Sequence, residues 1–230
     1  MKKLFNRNKN NNKNEKPNFW VSYADIMAAL LLMFILLLTV VIVDYKETLN
    51  QKKLEIQKQK EEIQKKTERI DQLLGIRENI IIELQKKFKN TNLQLEIDPQ
   101  TGAIRFPGGV FFSTDSTEIT EEGKNYLLNF IPKYVEILLG NEFKKYVAQI
   151  IIEGHTDDRG SYMYNLELSQ ERAFSVVETI YDKDFPNFKH KKKLLHYLTA
   201  NGRSYSQPIL NKDGKINRRK SRRVEFKFRL

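Results

Sequence analysis

The sequence predicts three parts in series: a single N-terminal transmembrane helix, a helical linker with coiled-coil spacing, and an α/β (α+β) sandwich built on a mixed sheet. Three observations carry this. Residues 19–43 form an apolar run in which only Thr39 is polar between Ile26 and Val43, and about 18 such residues suffice to cross a hydrocarbon core as a helix. Residues 44–90 are rich in Lys, Glu and Gln, with Leu49, Ile56, Ile63 and Ile70 recurring at every seventh position. After residue 91, short apolar or alternating runs take turns with stretches of helical period, the pattern of strands and helices packed in layers.

The chain has 230 residues and a formal net charge of +11, enough for one span and one modest folded domain. The positive charge is spread over the N-terminal tail, the segment after the apolar run and the C-terminus, and no nucleic-acid motif accompanies it, so direct nucleic-acid binding is not expected. There is no cysteine, hence no disulfide and no thiolate metal site. His155, His190 and His196 are not spaced as a metal cluster. No recurring Ser/His/acid or metal constellation points to an enzyme, and no cofactor is expected.

Residues 1–18 hold six Lys/Arg and one acid and have almost nothing to bury, which predicts a disordered basic tail. Its charge places it in the cytoplasm by the positive-inside rule, with Trp20 and Tyr23 at the headgroup level. A cleaved signal peptide is the alternative. The apolar run exceeds a typical signal core, and residues 39–46 offer no small-x-small cleavage site, so an uncleaved anchor in the inner (cell) membrane is favoured, with the C-terminal domain outside it. Near the start of the run stands one carboxylate, Asp25. A charge at such depth costs at least about 2.5–3.5 kcal/mol and marks an ion or proton route more often than a plain anchor.

The seven-residue spacing of residues 44–91 implies a left-handed coiled coil, with Ile80, Ile81, Leu84 and Phe88 thickening a thin seam. A parallel dimer and a single charged helix both remain open. The domain is expected over 92–230. Leu93, Leu95 and Ile97 alternate as a strand, Asp98–Gly102 is turn chemistry, and Ala103–Phe106 returns as a hairpin arm. Pro107–Gly109 is a break. Residues 120–140 predict a helix with Thr120 as N-cap, Glu121 and Glu122 at its positive end, an apolar stripe of Leu127, Leu128, Ile131, Val135, Leu138 and Leu139, and Gly140 as stop. Residues 146–153 read as a buried strand, 154–161 as a loop, and the stretch to about Tyr181 as a helix with Leu166, Ala173, Val176, Val177 and Ile180 inward. A basic connection over 182–194 leads to strand candidates at 195–200 and 224–230.

Gly154-His155-Thr156-Asp157-Asp158-Arg159-Gly160, followed by Asn165, Leu168-Ser169, Arg172-Ala173 and Val176, resembles the GHTDxxG…N..LS..RA..V pattern of the OmpA-like peptidoglycan-binding domain. Phe111-Phe112 with Ser116–Ile119, Gly202-Arg203-Ser204 with Pro208, and Arg222-Arg223-Val224-Glu225 extend the resemblance over residues 92–230. Ser221 departs from it, standing where the family has an Asn. The resemblance implies a peptidoglycan stem peptide bearing diaminopimelate as ligand, with Asp157 taking its ammonium, Arg172 a carboxylate through its planar fork, and Thr156, Asn165, Leu168 and Arg223 completing the site. Loop amides of Thr156–Arg159 are further donors. The competing reading makes Asp157 and Arg172 a structural ion pair. His155 reads as a packing residue at a strand end.

Trp20, Tyr23-Ala24-Asp25, Met27 and Ala29-Leu30 resemble the transmembrane signature of MotB-type stator subunits and of the B component of the Zorya anti-phage system. That resemblance implies a peptidoglycan-anchored subunit of an ion-driven inner-membrane motor, the ion most simply a proton carried by Asp25. The implied partners are a second copy and a multi-span MotA/Zorya A-like channel subunit forming a ring around the dimer. Residues 44–90 show no separate short amphipathic plug, which favours the Zorya-like reading over a flagellar one. A static peptidoglycan tether is the alternative from another class.

Overall fold

The computed structural model describes residues 19–230, so the expectation for residues 1–18 lies outside the described residues. Contacts divide the chain after Lys66. The first helix, α1 (Phe19–Phe88), runs through that division. It holds no proline, and strong helix formers dominate its polar half. In the first unit every described residue is exposed, the apolar run included. The most apolar window of α1 has a mean hydropathy of 3.2. An exposed apolar surface of that length fits a single membrane span. Asp25 stands in its second turn.

In the second unit, β1 (Glu96–Ile97) and β2 (Ile104–Pro107) form the expected hairpin. Asp98 shapes its turn by accepting from the N–H groups of Gln100 and Thr101 at 3.0 and 2.9 Å. Then follow α2 (Gly108–Phe111), α3 (Glu121–Leu138), β3 (Gln149–His155), α4 (Tyr162–Tyr181), α5 (Lys191–Leu194), β4 (Leu198–Gly202), α6 (Arg218–Ser221) and β5 (Arg223–Arg229). The five strands make one mixed sheet in the order β1-β2-β5-β3-β4, with only β3 and β4 parallel.

Strand alternation gives the sheet two unlike faces. Ile104, Phe106, Ile150, Ile152, Val224, Phe226 and Phe228 join the core with Leu127, Ile131 and Leu138 of α3 and Ala173, Val176 and Ile180 of α4. Phe130 is the hub of this core, with ring centroids 4.8 Å from Phe226, 4.9 Å from Phe106 and 5.2 Å from Phe88. The residues between, Arg105, Glu153, His155, Arg223, Glu225 and Lys227, fall on the other face. Thr120 caps α3 as expected, its hydroxyl accepting from Gly123 N–H at 3.0 Å.

Four expectations need correction. Ile80, Ile81, Leu84 and Phe88 do not extend a seam between helices; they are buried in this chain's own domain, because the last turns of α1 close its core. Strand β1 spans two residues and not five, since it is the edge strand and only Glu96 and Ile97 meet a partner. Strand β3 begins at Gln149 and not at residue 146, after a turn closed by Tyr146 N–H on Phe143 carbonyl. Strand β4 begins at Leu198, because residues 194–197 are taken up by turns that leave Leu195 61% exposed. The break at Pro107 is real, but Gly108 and Gly109 open the short helix α2.

The core role of the last turns of α1 yields an expected outcome. Leu84→Ala lowers stability by about 2–5 kcal/mol, whereas Ile82→Ala, half-exposed on the same helix, stays within about 0.5 kcal/mol. Urea unfolding of the detergent-solubilised chain, followed by tyrosine fluorescence, checks both.

Candidate ligand cleft

The cleft is built where β3 hands over to α4. Two glycines allow α4 to lie directly on the strands: a Cβ at Gly154 would stand 2.1 Å from Ser169 carbonyl oxygen, and one at Gly202 would stand 2.6 Å from Gln170 N. The approach is pinned by Ser204 N–H donating to Ser169 Oγ at 2.9 Å and by Thr156 N–H donating to Ser204 carbonyl at 3.0 Å. The loop between is held from within. Asn165 Nδ2 donates to the carbonyls of Arg159 (2.6 Å) and Ser161 (3.1 Å), and Ser161 Oγ caps α4.

All six residues expected at the site, Thr156, Asp157, Asn165, Leu168, Arg172 and Arg223, line one cleft of about 1140 Å³. Their chemistry differs. Arg172 is 7% exposed and lies over the Phe112 ring at 5.2 Å. Its Nε donates to Ser116 carbonyl at 2.9 Å and its Nη2 to Ser113 carbonyl at 3.4 Å, and it forms no salt bridge among the described residues. Burial pushes its guanidinium below the ordinary value. A buried cation held by neutral carbonyls is one that an anionic group in the cleft can pair with.

Asp157 is the opposite case. Its Oδ1 accepts Arg159 N–H at 3.1 Å, and its Oδ2 accepts Arg159 Nε and Nη2 at 3.2 and 3.0 Å and Arg222 Nη1 at 2.5 Å. Burial opposes the charged carboxylate, but the Arg159 and Arg222 bonds outweigh it and hold its pKa below the ordinary value. Asp157 and Arg172 are therefore not each other's ion pair. Thr156 Oγ1 is buried without a hydrogen-bond partner among the described residues. Two loop amides expected as ligand donors, those of Thr156 and Arg159, are already spent. Arg223 is an internal brace: its Nε bonds Glu225 Oε1 at 2.5 Å and its Nη1 the carbonyls of Gln207 and Ser221, both at 3.2 Å. Ser221 is fully buried, and its hydroxyl accepts Ile209 N–H at 3.0 Å, so it ties down the loop before α6. Sequence reasoning did not identify Arg159 and Arg222 as partners of Asp157; the doubled Arg before Val224 was the available signal.

Behind the cleft, on the polar face of the sheet, Glu153 and Glu225 are directly opposite across β3 and β5. Like charges so placed repel. Lys227 Nζ resolves this by bonding both, at 2.6 and 2.8 Å, while Arg223 and Arg105 take the other Glu225 oxygen. His155, 2% exposed, lies 3.5 Å from Glu153 and 3.9 Å from Glu225. These three residues could by spacing hold a metal ion, but cationic side chains already occupy their carboxylates. Burial opposes both charged carboxylates, yet His155 and Lys227 at Glu153, and Arg223 and Lys227 at Glu225, bring each pKa down to about 2. Burial pushes His155 below its ordinary value.

The sign of the pH dependence follows. Folded carboxylates held at about 2 contribute stability that is complete above their ordinary value of 4.5 and lost as pH falls towards 2. His155 resists protonation when folded, so stability already declines below 6.5. Lys227→Met is expected to cost about 3 kcal/mol at neutral pH, with the gap to wild type closing as pH drops below the carboxylate range. Thermal melts across that range check it; equal stability at neutral pH would refute the bridging role.

The model of the OmpA family matches residues 111–222, and that described as membrane MotB of the proton-channel complex MotA/MotB matches residues 5–53. A solved structure of a putative MotB-like protein from Desulfovibrio vulgaris aligns with a TM-score of 0.49 and 20% identity, covering 69% of this chain and 94% of that one. Zorya protein ZorB from Escherichia coli O139:H28 is 29% identical over 94% of this chain and 81% of its own length. ZorB from Escherichia coli strain ATCC 8739 is 31% identical over 94% of this chain and 89% of its own length. With 31% identity over 94% of its length to a relative that it covers to 89%, the chain belongs to the Zorya ZorB family.

Proposed function

We propose that the chain is the peptidoglycan-anchored, stator-type subunit of an ion-driven inner-membrane motor in an anti-phage system. The observation that carries the anchoring half is the convergence on one cleft of Arg172, buried with no salt bridge among the described residues, and Asp157, reached by two arginines. A diaminopimelate stem peptide supplies what each needs: a carboxylate for Arg172 and an ammonium that replaces an arginine on Asp157. Thr156 offers its unpartnered hydroxyl, Leu168 an apolar wall, and Asn165 keeps the loop in shape, while Arg223 braces from below.

The motor half rests on Asp25. In hydrocarbon a carboxylate is costly when charged, so its occupancy by an ion is coupled to its surroundings. One elementary charge moved through 100 mV releases about 2.3 kcal/mol. In this reading residues 1–18 are cytoplasmic, residues 19–43 span the membrane, residues 44–91 link, and residues 92–230 bind the wall on the far side. Two copies pair along Leu49, Ile56, Ile63 and Ile70, all exposed in the single chain, inside a ring of a multi-span channel subunit. Wall attachment gives the motor a fixed point.

Two variants separate the halves. Asp25→Asn retains membrane insertion and binding to peptidoglycan sacculi but abolishes protection against phage; full protection would leave a static tether. Arg172→Ala lowers retention on sacculi about tenfold or more, the loss of a charge-assisted pair, in a pull-down of the solubilised chain. Unchanged retention removes the ligand assignment.

A further inference from the structure

A second cluster of charged groups lies at the opposite end of β3 from the cleft. The turn after α3 and the loop around α5 meet there, each leading into a strand. Lys144 N–H donates to Gly140 carbonyl at 3.1 Å, and Ile150 and Leu198 then pair at the start of β3 and β4. The loop is firmly seated. Lys191 Nζ donates to Phe185 carbonyl at 3.1 Å and lies over the Phe185 and Phe188 rings at 5.2 and 5.9 Å. His190, just before α5, is held at φ 69, a left-handed backbone that is uncommon for a residue with a side chain.

The surroundings of His190 are short of anions. Burial, with Lys193, Lys189 and Lys144 close by, holds its pKa below the ordinary value, and Glu136 is set against them. That carboxylate is already shared: Lys189 Nζ lies 3.4 Å from its Oε1 and Lys87 Nζ 3.9 Å from its Oε2. Lys144 and Lys193 have no salt bridge among the described residues. Buried polar atoms are as a rule paired, yet His190 Nε2 is buried without a hydrogen-bond partner among the described residues, and its side chain caps no helix. The carbonyl end of α3 favours cations nearby, but it leaves that nitrogen unmet. The cations here are lysines and a histidine. Such point charges suit the tetrahedral oxygens of a phosphate, whereas the planar forks of the arginine-lined cleft suit carboxylates.

We propose that this end of the sheet is a second binding site, for a phosphate-bearing group, in which Lys144, Lys189 and Lys193 supply the charge and His190 Nε2 donates a hydrogen bond. It shares no residue with the cleft, and it does not rest on the wall-binding reading. Two sources carry this chemistry, a soluble phosphate chain and a lipid headgroup, and the experiment separates them.

The test uses the full chain in phosphatidylcholine nanodiscs. It is titrated calorimetrically with inorganic tripolyphosphate and, separately, sedimented with vesicles of phosphatidylcholine alone or with an equal part of phosphatidylglycerol. Binding of tripolyphosphate alone assigns a free phosphate; sedimentation with the phosphatidylglycerol vesicles assigns a headgroup. His190→Asn keeps the loop, since Asn also accepts the left-handed region, and should weaken binding about tenfold, the scale of one charge-assisted bond. Lys189→Gln combined with Lys193→Gln should weaken it further. Lys212→Gln combined with Lys215→Gln removes the same charge from the exposed hairpin closed by Leu210 and Ile216 and should change nothing. Retention on sacculi should stay as in wild type throughout. The site is refuted if wild type binds neither probe, if His190→Asn binds as wild type does, or if the Lys212 and Lys215 changes weaken binding as much as those at Lys189 and Lys193. A loss of sacculus retention with the cluster variants would overturn it as a separate site.

Discussion

The domain depends on how closely α4 lies on β3 and β4. Gly154 and Gly202 have no side chain because backbone of α4 occupies the space. From that contact everything at the cleft is measured. Thr156 and Asp157 leave the end of β3 at a fixed height, and Arg172, one helical face further along α4, reaches Phe112 and the carbonyls beyond it. The loop after β3 and the helix α4 thus bring a carboxylate and a guanidinium to one cavity without joining them.

The other face of the sheet shows how much electrostatic order a small domain can hold. Two carboxylates directly opposite, bridged by one ammonium and backed by two guanidinium groups, satisfy charges that burial alone would expel. Arg223 links this lattice to the cleft. It ends the run of charges on Glu225 and holds the carbonyls of Gln207 and Ser221, which bring the loop before α6 into place. The departure at Ser221 fits the same account: a short hydroxyl, fully buried, does the local work of fastening Ile209.

Much of this was legible in the sequence. The layered α/β pattern, the capping Thr120 and the hairpin turn at Asp98 could be read from short-range rules, because each is local, while the convergence of the GHTD and RA segments was legible only through the resemblance to a known family. What was not legible depended on tertiary choice. Ile80, Leu84 and Phe88 have a spacing that suits a partner helix as well as a sheet, and it is the domain core, with Phe130 against Phe88, that takes them up. The pairing of Asp157 with Arg222 joins residues far apart in sequence. Nothing in the motif says whether its acid is vacant or taken. The strand ends at Gln149 and Leu198 moved because turns of mixed polarity carry no period.

The arginines on Asp157 have a consequence for which cations that acid can take. A cation that reaches this acid does not neutralise a bare charge; it relieves another of its post, and the displaced guanidinium, two-thirds exposed in Arg159, goes out to water. The net gain is the small difference between two good contacts. The acid therefore selects by competition: it yields only to a cation whose contacts are better than those of the guanidinium it replaces.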